Sequence, residues 1–130
     1  MMMRLVLASV LFAAFAMPAN AQSSSPVADR EWYTGVKRSA KYARIAITHT
    51  ADLQRMNEEL AAVRGYVAAA DRLSMPEADR ATCRAAAQAV VDAIRGAQAG
   101  NMDGGPASYT AQFRRWELAG DRCLAAINGR

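Results

Sequence analysis

The sequence is short of the residue types that most catalytic and cofactor sites require. It holds one histidine, His49, and two cysteines in 130 residues, so a multi-histidine metal site cannot form within one chain. Arg84 follows Cys83, which excludes the Cys-x-x-Cys-His motif of covalent haem attachment. The chain also lacks a glycine-rich phosphate loop and a nucleophile elbow. We therefore expect no cofactor, no metal site and no catalytic residues, and a protein that is not an enzyme.

Long apolar runs are also scarce, and the one that stands out lies near the first residue. It covers Leu5–Met17, about 13 residues with a single polar interruption, whereas a membrane-spanning helix needs about 20. Arg4 precedes the run and the small-residue ending Pro18–Ala21 follows it, which is the pattern of a secretory signal peptide. We expect residues 1–21 to be removed before Gln22. The mature chain is then periplasmic or secreted and has no transmembrane segment.

A strong excess of one charge is absent too. The 16 basic and 12 acidic residues give a formal net charge of +4, and loss of Arg4 with the leader lowers it to +3. Such a mildly basic chain lacks the charge of a dedicated nucleic-acid binder, and export argues against that partner as well. The sequence therefore predicts no nucleic-acid partner.

Aromatic residues and β-branched runs are few, and alanine dominates the mature sequence. Alanine loses no side-chain entropy in a helix, and the apolar residues recur at the spacing of one helical face. The sequence predicts an all-α fold, a small antiparallel helical bundle, with a flexible segment over 22–28 and a single helical domain over 29–128. Four helices of nearly equal length are favoured, at 29–48, 52–73, 76–99 and 107–128.

The helical pattern changes near residues 48–51, and two architectures follow from this change. Thr48, His49 and Thr50 are only moderate helix formers, and Asp52 is able to cap a new helix. A break at this point gives four helices. An unbroken helix gives three, with a long first helix whose exposed apolar stripe favours dimerisation.

The third helix has a start signal of its own. Ser74 stands three residues before Glu77, with Pro76 between them in the first turn, which is the spacing of a capping box. We expect the Ser74 hydroxyl to cap this helix.

The two cysteines, Cys83 and Cys123, predict a disulfide that closes a C-terminal helical hairpin. An even cysteine count in an exported chain is typical of a structural disulfide. The midpoint of the pair is Asp103, which lies within a Gly-, Asn- and Pro-rich turn, so antiparallel helices would bring the cysteines face to face. Ala87 and Gly120 flank them one turn away. Their small size lets the backbones approach to the short Cα–Cα distance that a disulfide needs.

One cluster of charge lies within the first helix. It comprises Lys37, Arg38, Lys41 and Arg44, with no acidic residue between them. Lys37, Lys41 and Arg44 share one face of a helix, and Tyr33 lies in the same segment. A basic face with aromatic neighbours suits anionic lipid headgroups, lipopolysaccharide or an acidic protein. These five residues are therefore the candidate interaction face.

Export, a disulfide-closed bundle and the missing catalytic groups together favour a non-catalytic binding or interaction module of the cell envelope. Its expected partner is an envelope protein or an anionic surface component, bound through the basic helix face at residues 37–44. The alternative is a periplasmic carrier that holds a small ligand or cofactor inside the bundle. The sequence leaves the oligomeric state open.

Overall fold

Four α-helices form the bundle in the part of the chain that the structure describes. The computed structural model describes residues 26–102 and 104–129, and within these ranges it contains helices and no strand. The helices are α1 (Pro26–Ile45), α2 (Leu53–Ala69), α3 (Glu77–Gln98) and α4 (Tyr109–Asn128). The predicted all-α fold is confirmed. None of the described helices is both long and apolar enough to cross a membrane.

The first helix begins earlier than the sequence suggested. It starts at Pro26, three residues ahead of the expected boundary at residue 29, so the last part of the segment 22–28 belongs to α1. The predicted leader 1–21, the stretch 22–25 and the hairpin midpoint Asp103 lie outside the described residues.

A sharp turn separates α1 from α2, which confirms the break near residues 48–51. The last turn of the first helix widens into a π-helical segment, Ala46–Thr50, and Ala51 then adopts a left-handed conformation with φ of 51°. Asp52 caps α2, because its side chain accepts a hydrogen bond from the Arg55 amide at 2.9 Å. The architecture with three helices and a long first helix is therefore wrong.

Ser74 does not cap the third helix, contrary to the capping-box prediction. Pro76 is the N-cap residue of α3, and no side chain caps that helix. Both donors of Ser74 turn instead to the buried carboxylate of Asp29 on α1, with the amide at 3.1 Å and the hydroxyl at 2.6 Å. Because Asp29 needs hydrogen bonds to be buried, this contact fastens the start of α1 to the α2–α3 connection.

A disulfide closes the α3–α4 hairpin. Cys83 and Cys123 form the predicted disulfide, with Cα atoms 4.8 Å apart, within the range of about 4.4–6.8 Å that is usual for a disulfide. Ala87 and Gly120 beside them are buried, as the predicted close approach requires. Ser108 caps α4 by accepting a hydrogen bond from the Ala111 amide at 3.2 Å.

The core lies along α3, and the predicted apolar faces are largely buried. Val36, Val63, Val90 and Ile94 are fully enclosed. The exception is the turn between α1 and α2, where Leu53 is 66% exposed, because the chain reverses there and the apolar stripe turns away from the core.

Candidate interaction surface between α1 and α4

Four of the five predicted surface residues line one open groove between α1 and α4. Lys37, Lys41 and Arg44 are exposed on α1 and form its basic edge. The groove has a volume of about 500 Å³. Its remaining lining is Tyr33, Ala40, Trp116, Glu117, Asp121 and Leu124. We refer to this surface as the α1–α4 groove.

The floor of the groove is aromatic and already covered within the protein. The rings of Tyr33 and Trp116 stack with centroids 5.8 Å apart and planes 29° from parallel. Tyr33 is 8% exposed and Trp116 7%. Tyr33 therefore lies beneath the basic face and ties α1 to α4. Its position three residues before Val36 places it on the apolar stripe of α1, a signal the sequence already contained.

Burial and charge both act on the Tyr33 phenol. Burial raises the pKa of Tyr33 above its ordinary value of 10.0, and the negative charge of Asp121 raises it further. A desolvated phenolate is costly beside a carboxylate. The floor therefore stays uncharged, and the influence of Asp121 places that carboxylate near the Tyr33 end of the groove.

The opposite edge of the groove is acidic. Glu117 and Asp121 are exposed on α4 and lie four residues apart on one helical face. Arg44 reaches across to Glu117 at 3.5 Å, and its guanidinium carbon lies 4.5 Å from the centroid of the Phe113 ring. Both charged groups of this pair are about half exposed, so the pair contributes little to stability. The pair spans the groove from its basic edge to its acidic edge.

Three charged groups in the groove form no ion pair within residues 26–102 and 104–129. They are Lys37 and Lys41 on the basic edge and Asp121 on the acidic edge. All three are exposed. Lys41 Nζ lies 6.0 Å from the centroid of the Tyr42 ring, so the three charges are available to an external partner without breaking an internal ion pair.

Arg38 lies apart from the other four residues of the candidate face. It lines a different groove, of about 370 Å³, together with Arg30, Glu31 and Thr34 on α1. A residue adjacent to Lys37 in sequence points about 100° away from it around a helix. The structure thus brings Lys37, Lys41 and Arg44 together and places Arg38 elsewhere.

Sequence reasoning missed the acidic edge. Glu117 and Asp121 belong to α4, far from the basic cluster in sequence, and only the packing of α1 against α4 brings the two edges together. Their four-residue spacing beside the buried Trp116 was the available signal. It becomes informative once α1 and α4 are known to be neighbours.

The described residues hold no group of three or more His, Cys, Asp or Glu side chains that could bind a metal ion. His49 lies exposed in the turn after α1, with its Nδ1 atom 2.7 Å from the Thr48 hydroxyl. The α1–α4 groove brings basic and acidic side chains together over an aromatic floor. Neither a protein-family model, nor a curated protein, nor a solved structure matches this chain.

Proposed function

We propose that this protein is an exported, non-catalytic interaction module of the cell envelope, and that it recognises another protein through the α1–α4 groove. One observation carries the proposal. Lys37 and Lys41 stand along the same groove as an aromatic floor, and neither is neutralised by an ion pair among the described residues. Exposed charges without an ion pair steer and orient binding partners more than they stabilise the fold.

The mixed charge of the groove favours a protein over an anionic membrane. A membrane surface presents a field of one sign, which attracts Lys37 and Lys41 but repels Glu117 and Asp121 across the groove. A protein surface can offer acidic and basic side chains in matching places. The sequence predicted either an envelope protein or an anionic surface component as the partner. Of these two classes, the mixed charge of the groove favours the envelope protein.

Export is supported by two independent features. The leader pattern over residues 1–21 is one, and the Cys83–Cys123 disulfide is the other, since such bonds persist in oxidising compartments. The intact mass of the protein purified from its native host tests this part, and we expect a chain that starts at Gln22. A chain that retains Met1 in the cytoplasmic fraction would contradict export.

Partner capture tests the surface. Immobilised wild-type protein is incubated with envelope extract and compared with the variant Lys37→Glu/Lys41→Glu/Arg44→Glu. The matched control Arg38→Glu/Arg64→Glu/Arg122→Glu reverses the same number of charges at exposed sites outside the groove. We expect the groove variant to lose its protein partners and the control to keep them. Identical captured proteins in all three cases would overturn the proposed surface, and a co-purified small molecule would favour a carrier instead.

A further inference from the structure

Arg38, which lies outside the α1–α4 groove, belongs to a second basic surface on the side of α1 that faces away from the bundle. Successive residues of an α-helix are turned by about 100°, so five residues of α1 fall within about 80° of one another. These exposed residues are Arg30, Thr34, Arg38, Lys41 and Ile45. Val36 and Ala43, on the opposite side of the helix, are fully buried. We refer to the five exposed residues as the outer stripe of α1.

Positive charge is concentrated on α1. This helix has five basic and two acidic residues, whereas each of the other three α-helices has a net charge of zero or +1. One of the two acids, Asp29, is buried and accepts the hydrogen bonds of Ser74. Glu31 is therefore the only acidic side chain that α1 exposes. The exposed side of α1 consequently attracts anions along most of its length.

The cations of the outer stripe are not neutralised within the protein. Arg30, Arg38 and Lys41 take part in none of the ion pairs formed among residues 26–102 and 104–129. Binding of an external anion at these side chains therefore breaks no internal ion pair.

The outer stripe is separated from the acidic edge of the groove. Around α1, Lys37 and Arg44 lie about 40° and 60° from Lys41 on the side of α4, and both line the groove with Glu117 and Asp121. Two further cations thus stand between the stripe and these acids. The repulsion that the acids exert on an anionic surface is therefore weaker at the stripe than in the groove.

The surroundings of Arg30 and Arg38 suit a broad surface and not a small ligand. The groove between them is lined by residues of α1 alone, so no second element encloses a bound molecule, as a ligand pocket would. The stripe runs about 22 Å from Arg30 to Ile45 at the rise of an α-helix. A row of this length with one sign of charge complements the even negative field of an anionic bilayer.

The C-terminal end of the stripe adds apolar and aromatic contact. Ile45 and its neighbour Tyr42 are each 37% exposed. Lys41 Nζ lies 6.0 Å from the centroid of the Tyr42 ring, so ring and charge belong to one patch. Tyrosine rings and aliphatic side chains beside basic residues suit the headgroup level of a membrane.

We propose that the outer stripe of α1 docks this protein on an anionic phospholipid bilayer, with Arg30, Arg38 and Lys41 at the lipid phosphates and Tyr42 and Ile45 against the headgroup layer. This inference goes beyond the proposed function, because it assigns a different face of α1. The α1–α4 groove then lies to one side of the contact and stays open to a protein partner.

The contact depends on charge more than on insertion. The apolar side of α1 is already covered by the bundle, since Val36 and Ala43 have no exposed surface. Each Lys or Arg near an anionic bilayer strengthens binding about fivefold. Salt screens this attraction, because the Debye length falls from about 10 Å at 0.1 M to about 3 Å at 1 M. Binding should therefore be reversible and should be lost as salt is added.

Co-sedimentation of the mature protein with vesicles tests the docking directly. We expect binding at low salt to vesicles of phosphatidylglycerol mixed with phosphatidylcholine, release in about 1 M salt, and no binding to phosphatidylcholine alone. Absence of binding to the anionic vesicles at low salt would overturn the inference, and so would equal binding to the neutral vesicles.

Charge substitution tests the assignment to the stripe. Arg30→Gln/Arg38→Gln removes two basic charges and should weaken vesicle binding about 25-fold, and Arg30→Glu/Arg38→Glu should weaken it further. The matched controls Arg64→Gln/Arg122→Gln and Arg64→Glu/Arg122→Glu make the same charge changes at exposed sites on α2 and α4. They should bind within about threefold of wild type. Equal weakening in stripe and control variants would overturn the stripe as the contact.

The outcomes separate this inference from the proposed function. Protein that captures an envelope protein through the groove but binds no anionic vesicle overturns the docking alone. Vesicle binding together with captured proteins that are unaffected by reversal of Lys37, Lys41 and Arg44 overturns the groove proposal alone. A captured protein that is lost in Arg30→Glu/Arg38→Glu, with no vesicle binding by wild type, would assign the stripe to an acidic protein and overturn the bilayer as its partner.

Discussion

The ring of Tyr66 on α2 occupies the space that a side chain on Gly35 of α1 would need. A Cβ atom at position 35 would stand 2.8 Å from Cε1 of that ring, and closer still to Cζ and the hydroxyl oxygen. Trp32 fixes Tyr66 from a second direction. The two rings meet edge to face at 6.4 Å, and the indole N–H donates a hydrogen bond to the Tyr66 carbonyl at 2.9 Å. Helices α1 and α2 pack against each other at this contact.

Gly35→Ala should therefore destabilise the protein. The added methyl group overlaps a held aromatic ring, and overpacking of this kind costs about 1–3 kcal/mol, more than the gain in helix propensity. We expect the free energy of unfolding, measured by urea denaturation, to fall by that order.

Gly65→Ala is the matched control. Gly65 is also helical, on α2, but a Cβ there would meet nothing within 4 Å, so alanine should raise the free energy of unfolding by roughly 0.5–1 kcal/mol. If the free energy of unfolding changed with the same sign in Gly35→Ala and Gly65→Ala, this result would contradict the close approach of Tyr66 to Gly35.

The C-terminal hairpin could be predicted from the sequence because its constraints are local and mutually consistent. The hairpin sequence has one turn, two helical faces of the same spacing and one cysteine on each face. Only one register of α3 against α4 agrees with all of these, and it is the register that pairs Cys83 with Cys123. The N-cap of α2 by Asp52 could also be predicted from the local sequence. Ser74 was misread because its competing partner, Asp29, lies 45 residues away in sequence, and a capping box describes only local partners.

The site was predictable only in part, for a related reason. Helical spacing alone grouped Lys37, Lys41 and Arg44, and the structure places them along one groove. The acidic edge of Glu117 and Asp121 depends on which helices are neighbours, and that is decided by core packing across the whole bundle. Local periodicity contains no information about it.

Ala51 gives a second prediction, on the turn between α1 and α2. Its φ of 51° lies in the left-handed region, which costs a residue with a Cβ about 1–2 kcal/mol and costs glycine nothing comparable. Ala51→Gly should raise the midpoint of urea denaturation, because the free energy of unfolding should increase by about 1 kcal/mol. Ala62→Gly, at an exposed position within α2, should lower stability by about 1 kcal/mol. A loss in both variants would show that position 51 is not left-handed in solution.

Tyr33 gives a third prediction, on alkaline stability. Burial, with Asp121 as a second cause, raises the pKa of Tyr33 in the folded state above 10.0. A raised folded-state pKa means that the stability linked to the protonated phenol is fully present below about pH 10, the pKa in the unfolded chain. It is lost as pH rises through the folded-state pKa.

Unfolding of wild type and Tyr33→Phe across pH 9 to 11.5 checks this sign. Wild type should lose stability more steeply above pH 10, because only wild type has a buried phenol to ionise at position 33. Absorbance at 295 nm should show one fewer late-titrating tyrosine in the variant. Parallel stability profiles would contradict a buried Tyr33 at the floor of the groove.

The disulfide gives the last prediction. Cys83 and Cys123 are fully buried, and their bond closes a loop with a sequence separation of 40, for which loop-closure entropy predicts about 4 kcal/mol of stabilisation. Cys83→Ala/Cys123→Ala avoids burying a new polar group, so urea denaturation of this variant should show a loss of that order. The same loss should follow reduction of the wild type with a thiol, because both treatments free the unfolded chain. A loss below about 1 kcal/mol in both would mean that α3 and α4 hold their register by packing alone.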